Sequence, residues 1–241
     1  MLSKVLLKAA RLLVLTHLIL FCIFTFKFSN LSLILRNKRK SKGQFHQDLM
    51  VLAHLERVKS LEELFFVEFG ATNGIDLSNT LLFEREFNAK GIVAEPARVW
   101  HDELLLNRVC IISTDCVWSQ SNLNLKFFES VNPDLSGLDS KNHFHRPRQS
   151  NEVYSVKTVS LYDLLERNNA PKQIDFLSID TEGSEFDILN SFNFEKYSFR
   201  IITCEHNYSK RRKEIRKLLE SNGYRRKFSW ISFVDDWYFL K

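Results

Sequence analysis

The sequence is poor in the residues that interrupt or staple a chain. Its 241 residues hold 7 Gly, 4 Pro and 4 Cys. So little Gly and Pro excludes collagenous, linker-type and low-complexity chains. With 44% hydrophobic residues it is not a disordered chain either. Cys22, Cys110, Cys116 and Cys204 form no CxxC pair and no Cys/His zinc spacing, so neither a disulfide framework nor a zinc module is expected. Cys110 and Cys204 fall in apolar strand patterns and are expected as buried thiols. Phe is the abundant residue, with 21 copies. The length fits one α/β domain, since such domains commonly run to about 250 residues.

A further absence is positional. Residues 1–42 contain no Asp or Glu but nine of the 34 Lys and Arg. Residues 43–241 are left with 25 basic against 29 acidic residues, a net of −4. The basic character belongs to the N-terminal segment and not to the domain. A nucleic-acid partner needs a basic face on the folded domain and is not expected.

That segment reads as a membrane element. Residues 12–26, LLVLTHLILFCIFTF, carry no formal charge. The apolar run resumes after Lys27 and Phe28, and Arg36 to Lys42 close it with a basic cluster. A spanning helix needs about 20 apolar residues. Residues 12–35 supply that length if Lys27 snorkels, which makes a single-pass signal-anchor the leading expectation. An interfacial amphipathic anchor and a cleaved signal peptide are the alternatives, although no A-x-A-like cleavage site follows. The C-terminal flank is the more basic, so the positive-inside rule favours a cytoplasmic domain. The sequons Asn30-Leu31-Ser32 and Asn207-Tyr208-Ser209 decide nothing. The chain therefore divides into 1–42, anchor and linker, and 43–241, a folded domain.

Beyond residue 43 strand and helix patterns alternate. A helix is expected over 44–58, 79–87, 99–107, from about Ser184, and over 210–221. Short apolar strands are expected at 64–69, 91–95, 109–114, 174–179 and 201–204, with one or two more between Phe228 and Phe239. Such alternation predicts a doubly wound, mainly parallel sheet buried on both faces. Residues 130–152 are rich in Asn, Ser, Pro and basic residues and read as a long loop, either a lid over the substrate or a plain insertion. Within it, His143, Phe144, His145, Arg146 and Arg148 suit an acidic or sugar acceptor.

The sharpest motif follows the first strand: Glu68-Phe69-Gly70-Ala71-Thr72-Asn73-Gly74. Gly70 permits a tight turn, and Gly74 permits close approach of the backbone to a ligand. Ligands of open α/β sheets bind at the carboxyl ends of the strands. The spacing is G-x-x-x-G, without the middle Gly that a dinucleotide pyrophosphate requires. Glu95 ends the second strand and can accept from two ribose hydroxyls. Asp115 ends the third and can accept from an adenine amine. No Lys or Arg lies in the turn, so the pattern suits an adenosine without a phosphate. The fourth strand ends Asp180-Thr181-Glu182-Gly183-Ser184-Glu185 and the fifth ends Cys204-Glu205-His206-Asn207. Asp180, Glu182, Glu205 and His206 are suited to orienting a hydroxyl, acting as base or holding a hard divalent cation. Ser184 and Glu185 read more simply as an N-cap and a first-turn carboxylate.

FVEFGATNG, the AEP that ends the second strand, IDFLSIDTEGSEFDIL, CEHNY and FVDDWYFL together resemble the FkbM family of S-adenosylmethionine-dependent methyltransferases, over roughly residues 43–241. The resemblance implies a class I methyltransferase (Rossmann-like) fold with a seven-stranded sheet whose last strand is antiparallel, and O-methylation, often of sugar hydroxyls. It implies cofactor residues at Glu68, Gly70, Asn73, Gly74, Glu95 and Asp115, and an acidic turn at Asp180 and Glu182. Thr72-Asn73 departs from the family's more usual Asn followed by an aliphatic residue. On this reading His206 is the expected base and Asp180 orients the acceptor. A Mg²⁺-type ion on Asp180, Glu182 and Glu205 is the alternative way to acidify the hydroxyl. The rival from another class is a catalytically silent, membrane-tethered binding or trafficking module on the same fold.

Overall fold

A computed structural model describes residues 4–54, 61–138 and 150–241. The chain opens with α1 (Lys4–Phe24), α2 (Phe28–Asn37) and α3 (Gln47–His54). Then come β1 (Phe65–Phe69), α4 (Leu81–Phe87), β2 (Lys90–Ala94), α5 (His101–Asn107) and β3 (Ile111–Ser113). Four strands are described next: β4 (Cys116–Trp118), β5 (Asn124–Ser130), β6 (Gly137–Leu138) and β7 (Ser150–Ser160). Helix and strand then alternate again through α6 (Leu161–Arg167), β8 (Gln173–Ile179), α7 (Glu185–Asn190), β9 (Ser198–Glu205) and α8 (Arg212–Ser221), and the chain closes on β10 (Tyr224–Lys227) and β11 (Asp235–Leu240).

The main sheet has seven strands in the order β10-β11-β9-β8-β1-β2-β3. It is mixed. β9, β8, β1, β2 and β3 run parallel, while β11 pairs antiparallel with both β9 and β10. The mainly parallel sheet expected from the alternation is therefore completed by an antiparallel C-terminal edge. Of the one or two strands expected between Phe228 and Phe239, β11 lies there, whereas β10 precedes that segment and residues 228–234 connect the two. The central strands are covered on both faces, which explains their unbroken apolar runs. Phe66, Val67, Phe176 and Leu177 are all fully buried.

A second sheet, β4-β7-β5-β6, stands beside the first. It occupies part of what reads in sequence as loop. Tyr154, Val156 and Thr158 of β7 are buried and alternate with exposed Val153, Ser155 and Lys157. That is the period-2 pattern of a half-buried strand. The basic-aromatic stretch His143 to Arg148 lies outside the described residues.

The N-terminal segment departs from expectation in two ways. Residues 12–35 are not one helix. The chain breaks between α1 and α2, where Phe26 has φ 56°. Lys27 folds over the Phe21 ring, 5.8 Å from its centroid. Nor does the segment stand apart from residues 43–241. Ala10, Val14, Leu18, Cys22 and Ile34 share one core cluster with Phe45, Leu49, Trp237 and Phe239. By length and composition alone α1 is apolar enough to cross a membrane, a property it shares with N-terminal signal sequences.

One buried charge network holds the first βα units together. The Arg108 side chain, fully buried after α5, donates from Nε to Glu84 Oε2 at 2.8 Å and from Nη1 to Glu68 Oε2 at 3.2 Å. Its Nη2 donates to Thr80 Oγ1 at 2.9 Å. Removing one member of such a pair leaves an uncompensated buried charge. Arg108→Met is expected to destabilise the protein by about 3–5 kcal/mol in denaturant unfolding. A loss below about 1 kcal/mol would show that water reaches Glu68 and Glu84.

Candidate active site

β1 is the point where the chain order of the sheet reverses: β2 and β3 lie on one side, β8 and β9 on the other. Crevices outside the carboxyl ends of strands at such a switch point are where open α/β sheets hold ligands. A pocket of about 1010 Å³, counting the solvent at its mouth, opens there. Its described lining comes from the ends of β1, β2 and β8, and from the second sheet through Cys116, Val117, Phe127 and Leu138.

Gly70 makes this geometry possible. Its φ is +74°, and a Cβ there would lie 2.0 Å from the Asp180 carbonyl oxygen. Only glycine lets β1 and β8 stay paired to their ends, where the Asp180 N–H donates to Phe69 O at 3.3 Å. Gly74, with φ +80°, serves a different neighbour. A Cβ there would meet Arg108 Cγ at 2.7 Å and Leu104 Cδ1 at 2.9 Å. Its missing side chain admits the buried arginine.

Of the six residues expected around a cofactor, Glu68, Gly70 and Glu95 line the pocket. Glu95 is held by the glycine turn: its Oε2 accepts from the Thr72 N–H at 2.9 Å and its Oε1 from the Ala97 N–H at 2.8 Å. Glu68 is a floor residue occupied by Arg108 and by the segment that follows the turn. It accepts from Ser78 Oγ, Thr80 Oγ1 and the Asn79 N–H at 2.9, 2.6 and 2.6 Å. Asn73, Gly74 and Asp115 are not among the described lining residues. Asn73 closes its own turn, with Oδ1 accepting from the Ile75 and Asp76 N–H groups. Asp115 is half-exposed and lies 3.8 Å from Arg167 Nη1.

The acidic turn after β8 faces the pocket through Asp180 and Glu182. Glu182 has φ +55°, a strained position for a residue with a Cβ. Glu185 closes the turn from below, its Oε1 accepting from the Thr181 N–H, the Thr181 hydroxyl and the Gly183 N–H, each at 3.0 Å. Ser184 makes no side-chain cap bond. Carboxylate oxygens of Asp180, Glu182 and Glu205 come within 4.8 Å of one another. Asp180 and Glu205 lie side by side in this cluster and perturb each other's titration. Asp180 meets solvent through the pocket mouth, yet protein crowds its other sides. Burial and then like charge push Glu182 and Glu205 well above the usual carboxylate range. Burial also raises Glu95, to about 7, against its two backbone donors.

His206 follows Glu205 but is not among the described lining residues. It is buried, and its Nδ1 accepts from the Tyr208 N–H at 3.0 Å. The remaining proton of the neutral ring then sits on Nε2, 3.9 Å from Asp236 Oδ1. Burial holds its pKa near 4. Sequence reasoning does not single out Asp76 and Asp134, which line the pocket too. Both lie in turn-like contexts, NGID and NPDLSG, where an Asp is expected for local reasons.

Fold and site together define an α/β protein with a strongly acidic ligand pocket at its switch point. The sequence profile of the methyltransferase FkbM domain matches residues 68–226, well over half of the chain. The chain belongs to the FkbM methyltransferase family, which implies S-adenosylmethionine as methyl donor. Among solved structures it aligns with precorrin-6y C5,15-methyltransferase from Geobacter metallireducens at 10% identity and TM-score 0.39, over 75% of this chain and 71% of that one. No curated protein matches it.

The raised carboxyls set a pH dependence. A carboxyl whose pKa is higher folded than unfolded makes the native state bind more protons over that interval, so stability falls as pH rises through it. For Glu95 the interval runs from 4.5 to about 7, and Asp235 is likewise raised by burial, to about 7. Burial lowers the pKa values of His46, His54 and His206, which opposes this below about pH 6.5. The melting temperature of the ligand-free protein is therefore expected to fall between about pH 6.5 and pH 8, with a smaller fall in Glu182→Gln. A flat or rising profile over that interval in differential scanning fluorimetry would contradict the raised carboxyls.

Proposed function

We propose that the protein transfers a methyl group from S-adenosylmethionine to a hydroxyl of a sugar, glycan or similar uncharged acceptor. The observation that carries this reading is the charge of the pocket. Glu68, Asp76, Glu95, Asp134, Asp180 and Glu182 line it, and no Lys or Arg is among its described lining residues. Such a lining favours a ligand bearing a sulfonium and an ammonium group and repels phosphates and acidic acceptors. Glu95 is fixed by two backbone donors and keeps lone pairs for ribose hydroxyls. Cys116, Val117 and Phe127 supply an apolar surface for a base.

When bound, S-adenosylmethionine supplies a methyl group on a good leaving group, a neutral thioether. The chain's task is then to align the acceptor oxygen and remove its proton. Asp180 is the group placed for this. It lines the pocket beside Glu205, whose carboxyl burial and like charge keep protonated, while Glu182 stands within reach of both. His206 keeps its lone pair for the Tyr208 N–H, so it acts as a positioning residue for the turn after β9. The same three carboxylates are oxygen donors of the type a hard divalent cation takes, which keeps Mg²⁺ as the second reading of this cluster.

Calorimetric titration of the full chain in mild detergent tests the donor site. S-adenosylmethionine and its demethylated product are expected to bind, and Glu95→Gln to weaken both by about tenfold or more. No binding by a folded chain would overturn the enzyme reading in favour of a silent, tethered module. In turnover with a glycan acceptor, Asp180→Asn is expected to lower kcat by about 10²–10⁴ with donor affinity little changed, and His206→Gln to keep most of it. The reverse ranking would return the base role to His206. Loss of turnover with a chelator, restored by Mg²⁺, would favour the metal reading.

A further inference from the structure

The two N-terminal helices carry a surface that methyl transfer does not explain. One face of each is fastened to the domain. Ala10, Val14, Leu18 and Cys22 recur every fourth residue along α1 and are buried, as is Ile34 in α2. Polar contacts fix the same faces. Arg11 donates from Nη1 to Gly43 O at 2.8 Å and from Nη2 to Ser41 O at 3.2 Å. The Asn30 Nδ2 donates to Leu52 O at 2.6 Å. The His17 ring meets Phe228 and Trp230 edge-on, at 5.1 and 4.9 Å between centroids. A helix crossing a bilayer would lose these contacts and carry Arg11 and His17 into lipid. Nor is α1 a core helix, since only 22% of its most apolar stretch is buried.

The opposite face is apolar and exposed. Leu12, Leu13 and Leu20 lead along α1 to the elbow, where Phe24, Phe26 and Phe28 gather, Phe24 and Phe26 being 75% and 77% exposed. An exposed apolar surface of this kind marks an interaction site. Its rim is of one charge. Lys4, Lys8, Arg36, Lys38 and Arg39 are exposed, and residues 1–42 hold no acid. Two such faces would repel each other, which disfavours a second copy as the occupant. An apolar helix face rimmed by basic residues is the combination that lies flat in an anionic lipid interface.

We propose that α1 and α2 together form an in-plane dock for an anionic membrane surface, with their inner faces remaining packed on the domain. The elbow aromatics enter the headgroup boundary and the basic rim meets the lipid charge. Independent of methyl transfer, this replaces the single-pass anchor with a one-leaflet attachment.

Flotation of the full chain with vesicles tests it. Binding to phosphatidylcholine containing about 30% phosphatidylserine is expected to exceed binding to pure phosphatidylcholine by about tenfold or more, and to fall with salt. Phe24→Ser with Phe28→Ser is expected to lose binding by a similar factor while leaving the melting temperature within a few degrees. Both side chains point away from the core, so this variant separates docking from folding. Alkaline carbonate is expected to release the wild-type chain from cell membranes. Retention after carbonate, equal binding to neutral vesicles, or absence of vesicle binding would each overturn the proposal. So would self-association that buries the aromatic elbow, seen by light scattering.

Discussion

Everything at the candidate site depends on how closely the ends of β1 and β8 approach. The main chain at Gly70 comes so near the Asp180 carbonyl that a single methyl group would collide with it at 2.0 Å. This contact lets two neighbouring parallel strands run in register to their last residues, Phe69 opposite Ile179. Both chains then turn away on the same side of the sheet. One carries the turn whose Thr72 N–H holds Glu95, and the other carries Asp180 and Glu182. The pocket is the space between two chains that diverge from one point. A bulkier residue at 70 would separate the strands and scatter the carboxylates they present.

The distribution of paired and unpaired acids points the same way. Several buried carboxylates are neutralised by arginine, while Asp48, Glu185 and Asp235 are held by neutral donors alone. Glu68 and Glu84 share Arg108, Asp175 meets Arg200, and Asp236 is gripped by Arg212 and Arg226. At the pocket the pattern stops. Glu95, Asp180, Glu182 and Glu205 have no cationic partner among the described residues, and burial and mutual repulsion raise their pKa values. Perturbed carboxyls gathered at one strand edge beside a pocket are the arrangement expected of a functional site.

Much of this was legible in the sequence, for identifiable reasons. β1, β2, β8 and β9 are short apolar runs that end in Gly, Glu, Asp and Glu, and parallel strands of one sheet bring such ends to one edge. Three things were not legible. Asn73 and Asp115 sit at plausible positions in the chain, but their side chains serve a local turn and an arginine on α6. The role of Gly74 depended on Arg108, an unremarkable residue in sequence whose burial arises from packing across α5. The surroundings of His206 were hidden as well: its Nδ1 accepts from the Tyr208 N–H, and burial holds its pKa near 4. Each concerns where a side chain points, which strand order alone does not determine. The second sheet is a different case. The alternation in β7 was there to be found, masked by the polar, turn-rich residues that precede it.

The N-terminal helices are tied into the catalytic half through a short chain of contacts. Arg11 of α1 holds the main chain at Ser41 and Gly43, and Gln47 at the start of α3 follows directly. Gln47 Nε2 donates to Asp235 Oδ2 at 2.6 Å, and Phe45 stacks on Phe233. Asp235 pairs with Glu205 across β11 and β9, and Glu205 lies beside Asp180 in the carboxylate cluster. Asp235 and Asp180 also line one small cavity with Gln44, Gln47 and Asn79. The segment that reads as a detachable anchor thus braces the main chain leading to Gln44 and Gln47, which stand beside Asp180 and Asp235. A chain cut at residue 42 would lose Arg11 and the helix faces that cover α3, and with them the support that holds Gln47 against Asp235. The two helices proposed as the membrane dock share one core cluster with α3 and β11.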